Sequence, residues 1–182
     1  VARWQQEHGL PAGRIFAATT RGVRLLDVGP APTQLFDLGF PLPFLSVNTL
    51  VASGETAWLV EDFASHQLLT VDVIDPAAPR IAGRLSLGLS SPPGFGERVG
   101  TAVYLAWPGA GIRRLDVSDR LRPAPAAFWT VPGLVDLQVD GSRVAVARTS
   151  GAEFYDAADD PLNPVLRAVW PAGLGCSYAW WG

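Results

Sequence analysis

The chain has no lysine and no methionine, a single cysteine and only two histidines among its 182 residues. Each shortage removes a class of mechanism. The lone Cys176 excludes an intrachain disulfide, so cysteine usage does not mark a compartment. It lies in an apolar segment, where a buried inert thiol is the reading, not a nucleophile. His8 and His66 have no second donor at metal-ligand spacing, which argues against zinc. All 14 basic residues are Arg, set against 17 acidic ones, and a net charge of −3 gives no electrostatic reason to expect nucleic acid. No apolar run reaches the ~18 residues of a membrane-spanning helix, and no secretory segment is present to be read. Gly-x-Ser-x-Gly is missing. Gly94-Phe95-Gly96 with Gly100 is followed by strand-like sequence, not by the helix a phosphate loop requires. Glu61-Asp62 and Asp159-Asp160 are adjacent carboxylates without the controlled spacing of a catalytic pair. The residues therefore assign no catalytic group, no metal ligand and no cofactor.

What the chain has in excess is turn residues and a repeat. Nineteen Gly and 16 Pro are spread along the whole length, well above the usual ~12% for the two together. Gly111 to Pro123 reads Gly-Ile-Arg-Arg-Leu-Asp-Val-Ser-Asp-Arg-Leu-Arg-Pro, and its pattern recurs at 22–30, 67–79 and 151–164. The shared aspartates Asp27, Asp72, Asp116 and Asp156 are spaced by 45, 44 and 40 residues. Such a period is that of a repeat array or propeller.

Each unit divides into four short segments. Segment a follows a Pro/Gly turn (44–52, 98–101, 134–139). Segment b is a compact apolar run (15–18, 58–60, 103–107, 144–147), too short for a helix and suited to a strand covered on both faces. Segment c ends at the repeated Asp, and segment d follows the prolines (34–40, 80–87, 126–131, 165–170). Four strands per 40–45 residues is the arithmetic of a propeller blade, which buries both sheet faces by stacking. The fold expected is thus all-β: about four four-stranded antiparallel blades, as a closed four-bladed ring or as part of a larger propeller. The repeated Asp is read as structural, its carboxylate fixing a turn two residues on. The loops lack the oxygen-ligand density of a calcium site. Trp58, Trp107, Trp129 and Trp170 are expected in blade-to-blade packing. Arg113, Arg114, Arg120 and Arg122, with Arg24 at the repeat position of Arg113, are read as a solvated face, with an anionic-partner patch as the sharper alternative.

Asp-Val-Ser-Asp at 116–119 and Asp-Val-Ile-Asp-Pro-Ala-Ala-Pro at 72–79 resemble the LVIVD repeat family, whose units end strand c with Asp-Val-Ser-Asp-Pro-x-x-Pro and strand d near Pro-Gly, as Pro132-Gly133 does here. The resemblance covers about 14–173 and departs at Arg120, Gly29 and Gln67. It implies a β-propeller of an exported or cell-surface prokaryotic protein, and brings no catalytic residues.

Domain organisation follows as an N-terminal segment 1–13 and a propeller domain 14–182, with units of about 14–52, 53–101, 102–141 and 142–173 and a terminal strand at 174–181. Two closures fit. Either 174–181 supplies the inner strand of the first unit, making a four-bladed ring, or residues 2–8 supply it and the chain is a piece of a larger propeller. The start without Met and the stop at Trp180-Trp181-Gly182 favour the second.

The function expected is a non-catalytic scaffold that binds another protein or surface component. Its contacts come from loops on one end of the blades, where the b–c and d–a connections emerge together. Arg21, His66, Phe95 and Trp107 are the candidate partner-binding residues. Self-association is expected if the propeller is incomplete. The alternative is a fragment of a propeller enzyme, a hydrolase or lyase with its site in the central channel.

Overall fold

A computed structural model describes residues 4–5, 14–19, 22–27, 33–39, 47–61, 66–75, 78–88 and 91–171, with side chains from residue 47 onward. All regular structure among them is strand, arranged in four-stranded antiparallel sheets. The first holds β1 (Trp4–Gln5), β2 (Arg14–Thr19), β3 (Gly22–Asp27) and β4 (Thr33–Gly39). The second holds β5 (Val47–Ser53), β6 (Thr56–Glu61), β7 (Gln67–Asp72) and β8 (Arg80–Ser86). The third holds β9 (Phe95–Val99), β10 (Ala102–Trp107), β11 (Gly111–Asp116) and β12 (Ala124–Thr130). The fourth holds β13 (Leu134–Asp140), β14 (Arg143–Arg148), β15 (Gly151–Asp156) and β16 (Val165–Pro171). Strands lie side by side in chain order within every sheet. Where about four blades were expected, three have described side chains and a visible core; β1–β4 is defined by backbone pairing alone.

The inner position of the first sheet is taken by Trp4–Gln5, with Trp4 opposite Ala17. This corrects the four-bladed closure, which gave that position to 174–181; those residues, Cys176 included, lie outside the described ones. Segment a of the third unit is Phe95–Val99, earlier in the chain than the 98–101 expected, because Gly94 and the Pro92-Pro93 turn precede it directly.

The sheets are copies in register as well as in sequence. Every one carries a β-bulge between its third and fourth strands, at Leu25/Leu26, Thr70/Val71, Arg114/Leu115 and Phe154/Tyr155. The bulge falls one to two residues before the repeated Asp and twists the outer strand away from the ladder. The Asp then fixes the turn as expected. Its Oδ1 accepts a backbone N–H two residues on: from Ile74 to Asp72 at 3.3 Å, Ser118 to Asp116 at 2.8 Å and Ala158 to Asp156 at 3.0 Å. These bonds hold Asp116 and Asp156 below the usual carboxylate range. The Gly that opens segment c also has a cause. A Cβ on Gly111 would fall well inside contact distance of the Trp129 carbonyl oxygen across the ladder, so only glycine lets β12 come this close.

The chain forms two compact units, Val1–Pro92 with Arg120–Arg122, and Pro93–Asp119 with Pro123–Gly182. In the first, β6 is buried at all six residues and β7 at five of six, which is why these runs are apolar without alternation. Trp58, Leu59, Val60, Leu68 and Leu69 form the largest part of that core. In the second, two sheets meet face to face: Tyr104, Ala106 and Ile112 from one pack against Leu137, Val144 and Val146 from the other. Trp129 meets Tyr155 edge to face, ring centres 4.5 Å apart and planes at 83°.

A strap repeats in both units. At the third residue of the second strand stands an aromatic side chain with a polar tip. Trp58 Nε1 donates to the Arg120 carbonyl at 3.2 Å in the first unit. Tyr104 Oη donates to the Pro161 carbonyl in the second. In each case the carbonyl belongs to a loop joining a third strand to a fourth. The first strap is completed by Arg120, which donates to Thr56 Oγ1 at 2.8 Å and reaches the buried Asp72 at 3.4 Å, where Arg80 also binds. The second is completed by Arg114, which donates to the Leu162 carbonyl.

Of the four tryptophans expected in packing, Trp58 and Trp107 are buried and Trp129 is half-buried, but Trp170 is 59% exposed. The arginine cluster is not one face either. Arg113 lies 5.9 Å from the Phe128 ring centre, Arg114 reaches the opposite way to Leu162, and Arg120 is drawn to Asp72. Adjacent strand residues point to opposite sides, so the sequence cluster is dispersed.

Candidate binding surface

In the second unit the connections between second and third strands, and between one sheet and the next, form a single hydrogen-bonded rim. Gly109 N–H donates to the Leu134 carbonyl at 2.9 Å, Val131 N–H to Ala110 at 3.2 Å and Thr149 N–H to Gly133 at 2.8 Å. Arg148 Nε adds a bond to the Pro132 carbonyl at 3.1 Å. The rim presents Pro108, Gly109, Ala110, Pro132, Thr149 and Ser150 to solvent, while β10 and the middle of β14 beneath it are buried. Loops tied together on a stiff base make a preorganised contact surface. Below it, Arg148 pairs with Glu153, and Tyr155 Oη donates to Glu153 Oε2 at 2.8 Å. Burial, with Glu153 beside it, pushes the Tyr155 hydroxyl far up, so it stays a neutral donor.

The four sequence-derived candidates fare differently. Trp107 is only 5% exposed, so its ring lies in the packing expected of the strand tryptophans. Phe95 is half-buried against the core of the second unit, opposite Ala106. His66 is half-buried at a left-handed φ of 39°, and its Nδ1 has no hydrogen-bond partner among the described residues. Arg21 lies outside the described residues. The structure brings Phe95 and Trp107 to one end of one sheet, with His66 in the other unit.

Sequence reasoning missed a pair of carboxylates on neighbouring inner strands. Glu97 on β9 shares a strand face with Phe95 and Val99, both part of the core of the second unit. Burial first, and the Asp136 carboxylate of β13 second, push Glu97 up to about 7. Asp136 Oδ1 accepts the Leu137 N–H at 2.9 Å. The two are 39 residues apart, in segments without a shared motif, so nothing in the sequence joined them. Among the described residues no group of three or more His, Cys, Asp or Glu gathers at metal distance, and no helix is long and apolar enough to cross a membrane.

No family model and no curated protein matches the chain. Solved structures do. A protein from Lactobacillus plantarum is 15% identical with a TM-score of 0.66, over 93% of this chain and 55% of its own. BamB from Moraxella catarrhalis is 13% identical with a TM-score of 0.56, over 96% of this chain and 53% of its own. YCF48, solved bound to a D1 peptide, is 11% identical with a TM-score of 0.56, over 87% of this chain and 52% of its own. The chain thus spans about half the length of these structures. At such identities the likeness is one of fold, and the fold is that of the β-propeller proteins.

Proposed function

We propose that the chain is a non-catalytic, protein-binding run of blades from a propeller larger than itself, in an exported or cell-surface prokaryotic protein of the LVIVD-repeat kind. The observation that carries the binding role is the rim of the second unit: exposed loops cross-linked by backbone hydrogen bonds over a fully buried β10 and the buried middle of β14. A propeller neighbour held a peptide when it was solved, which supports the same use here. The larger ring is supported by Trp4–Gln5 filling the first sheet's inner position and by the half-length match to solved propellers. Export rests on the motif resemblance alone. His66, Phe95 and Arg21 remain candidates for contact; Trp107 supports the rim from beneath. Selecting binders from a displayed peptide library tests the reading. Selected peptides should lose affinity at least tenfold for a Pro108→Arg, Thr149→Arg, Ser150→Arg variant whose melting temperature is unchanged. Equal affinity for the variant rejects the rim.

A second reading, a propeller hydrolase or lyase, is favoured by one observation: Glu97 titrates near neutrality on an inner strand, as a general acid or base would. Turnover of a panel of ester, glycoside and polyuronate substrates that disappears in Glu97→Gln would establish it. The same weak or absent turnover in both forms removes it.

A further inference from the structure

The second unit shows how one sheet covers the next, and so supplies the template for a sheet that is left uncovered. Trp129 stands opposite Ile112 in the ladder and is half-buried beneath Tyr155 of the neighbouring sheet. Leu85 stands at the same register position in its sheet, opposite Leu68, and is also half-buried. Trp170 stands there in the fourth sheet, opposite Ala152, yet is 59% exposed. The strand that carries it, β16, is exposed at all seven residues; Val165, opposite Asp156, lies on the Trp170 face, while Leu166 and Val169, opposite Tyr155 and Glu153, lie on the other. By the same register, Trp170 shares its sheet face with Phe154, which packs on Ala145 and Ala147. An apolar strip of this kind on a stiff sheet marks a docking surface.

Resting on the propeller reading, we propose that this face of β13–β16 docks the β1–β4 sheet of a second copy of the chain, head to tail. The residues of the fourth sheet that face Ile112 and Trp129 include Val144, Val146 and Tyr155. Counted from the repeated Asp, the first sheet has Ile15, Ala17 and Leu26 at those positions, and Ile15 pairs with Leu26 as Val144 pairs with Tyr155. The first sheet therefore has apolar residues at the register positions of the set that covers Trp129. Two copies also supply the length that the matched propellers hold in one chain. The contact uses two different patches, so each copy donates one and accepts one.

Sedimentation and light scattering of the chain test this. The expected mass is that of two copies or a longer head-to-tail run. Trp170→Arg should give single chains, and Leu26→Arg the same from the opposite patch. Mixing the two variants restores one good junction and should recover pairs, which a nonspecific apolar contact would not do. Circular dichroism and a cooperative melt certify that each variant is folded. A wild-type chain that stays single at its highest soluble concentration, while melting cooperatively as β-sheet, overturns the docking and leaves the blade reading intact. Wild-type pairs that both variants preserve also overturn it. A chain with no cooperative melt contradicts both.

Discussion

The two units fasten a loop to a neighbouring strand by the same bond but with the charge placed on opposite sides. In the first, the loop brings the cation: Arg120 comes in over Trp58 and finds Asp72, buried to 4% exposure, on the strand side. In the second, the strand brings it: Arg114 reaches out to the loop carbonyl of Leu162, next to the one that Tyr104 holds. What is repeated is the geometry, an aromatic donor at the third residue of the second strand and a loop carbonyl to receive it. The charge partner is free to change sides. The fourth sheet has Ala145 at that position and so offers no such donor.

The comparison can be broken most forcefully by removing the aromatic body. Trp58→Ala and Tyr104→Ala should each lower stability by about 3 to 5 kcal/mol, measured by urea denaturation, since both side chains are fully buried. A loss confined to one unit's mutation would show that the two straps are not equivalent. Next in size is the charged half. Asp72→Ala leaves Arg80 and Arg120 without their buried acceptor and should cost about 2 to 3 kcal/mol. Asp116→Ala, whose carboxylate caps only its own exposed loop, should cost clearly less. Equal losses would mean that the strap charge adds nothing to the turn.

Glu97 separates the units by pH, since it stands in the second alone. Its folded carboxyl titrates at about 7 against an ordinary 4.5, so between these values the folded state keeps a proton that the unfolded state has released. Stability should therefore fall as pH rises from 4.5 to 7 and level off above, by about 1 to 3 kcal/mol in all. Glu97→Gln should abolish that slope and be the more stable form at pH 8. A slope that survives the substitution assigns the titration elsewhere. The finest cut is Trp58→Phe beside Tyr104→Phe. Each removes the donor to the loop carbonyl but keeps a ring, and should cost about 1 kcal/mol.

Much of the scaffold was legible in the residues, because its causes are local. The b and c segments read as strands from their compact apolar runs, and Asp72, Asp116 and Asp156 form the turns that an Asp side chain favours. Gly111 recurs because β12 passes close to it. What could not be read depended on which strands meet. Trp170 looked like Trp129 by position, and only the presence or absence of a covering sheet separates them. Trp107 was expected both in packing and at the partner surface, and its 5% exposure leaves it in the packing. Glu97 and Asp136 belong to different sheets, and their shared burial arises only when β9 and β13 come together. The straps had a faint signal, aromatic donors at the same position in units two and three, masked because one is Trp and the other Tyr.

The central claim is that these sheets endure by covering one another's middle strands. Native-state hydrogen exchange resolved by strand tests it most directly. Amides of β6, β10 and β14, buried along most or all of their length, should exchange only through global unfolding, while those of β8, β12 and β16 open locally and orders of magnitude faster. Equal protection of the two sets, or faster exchange in the middle strands, would contradict the account.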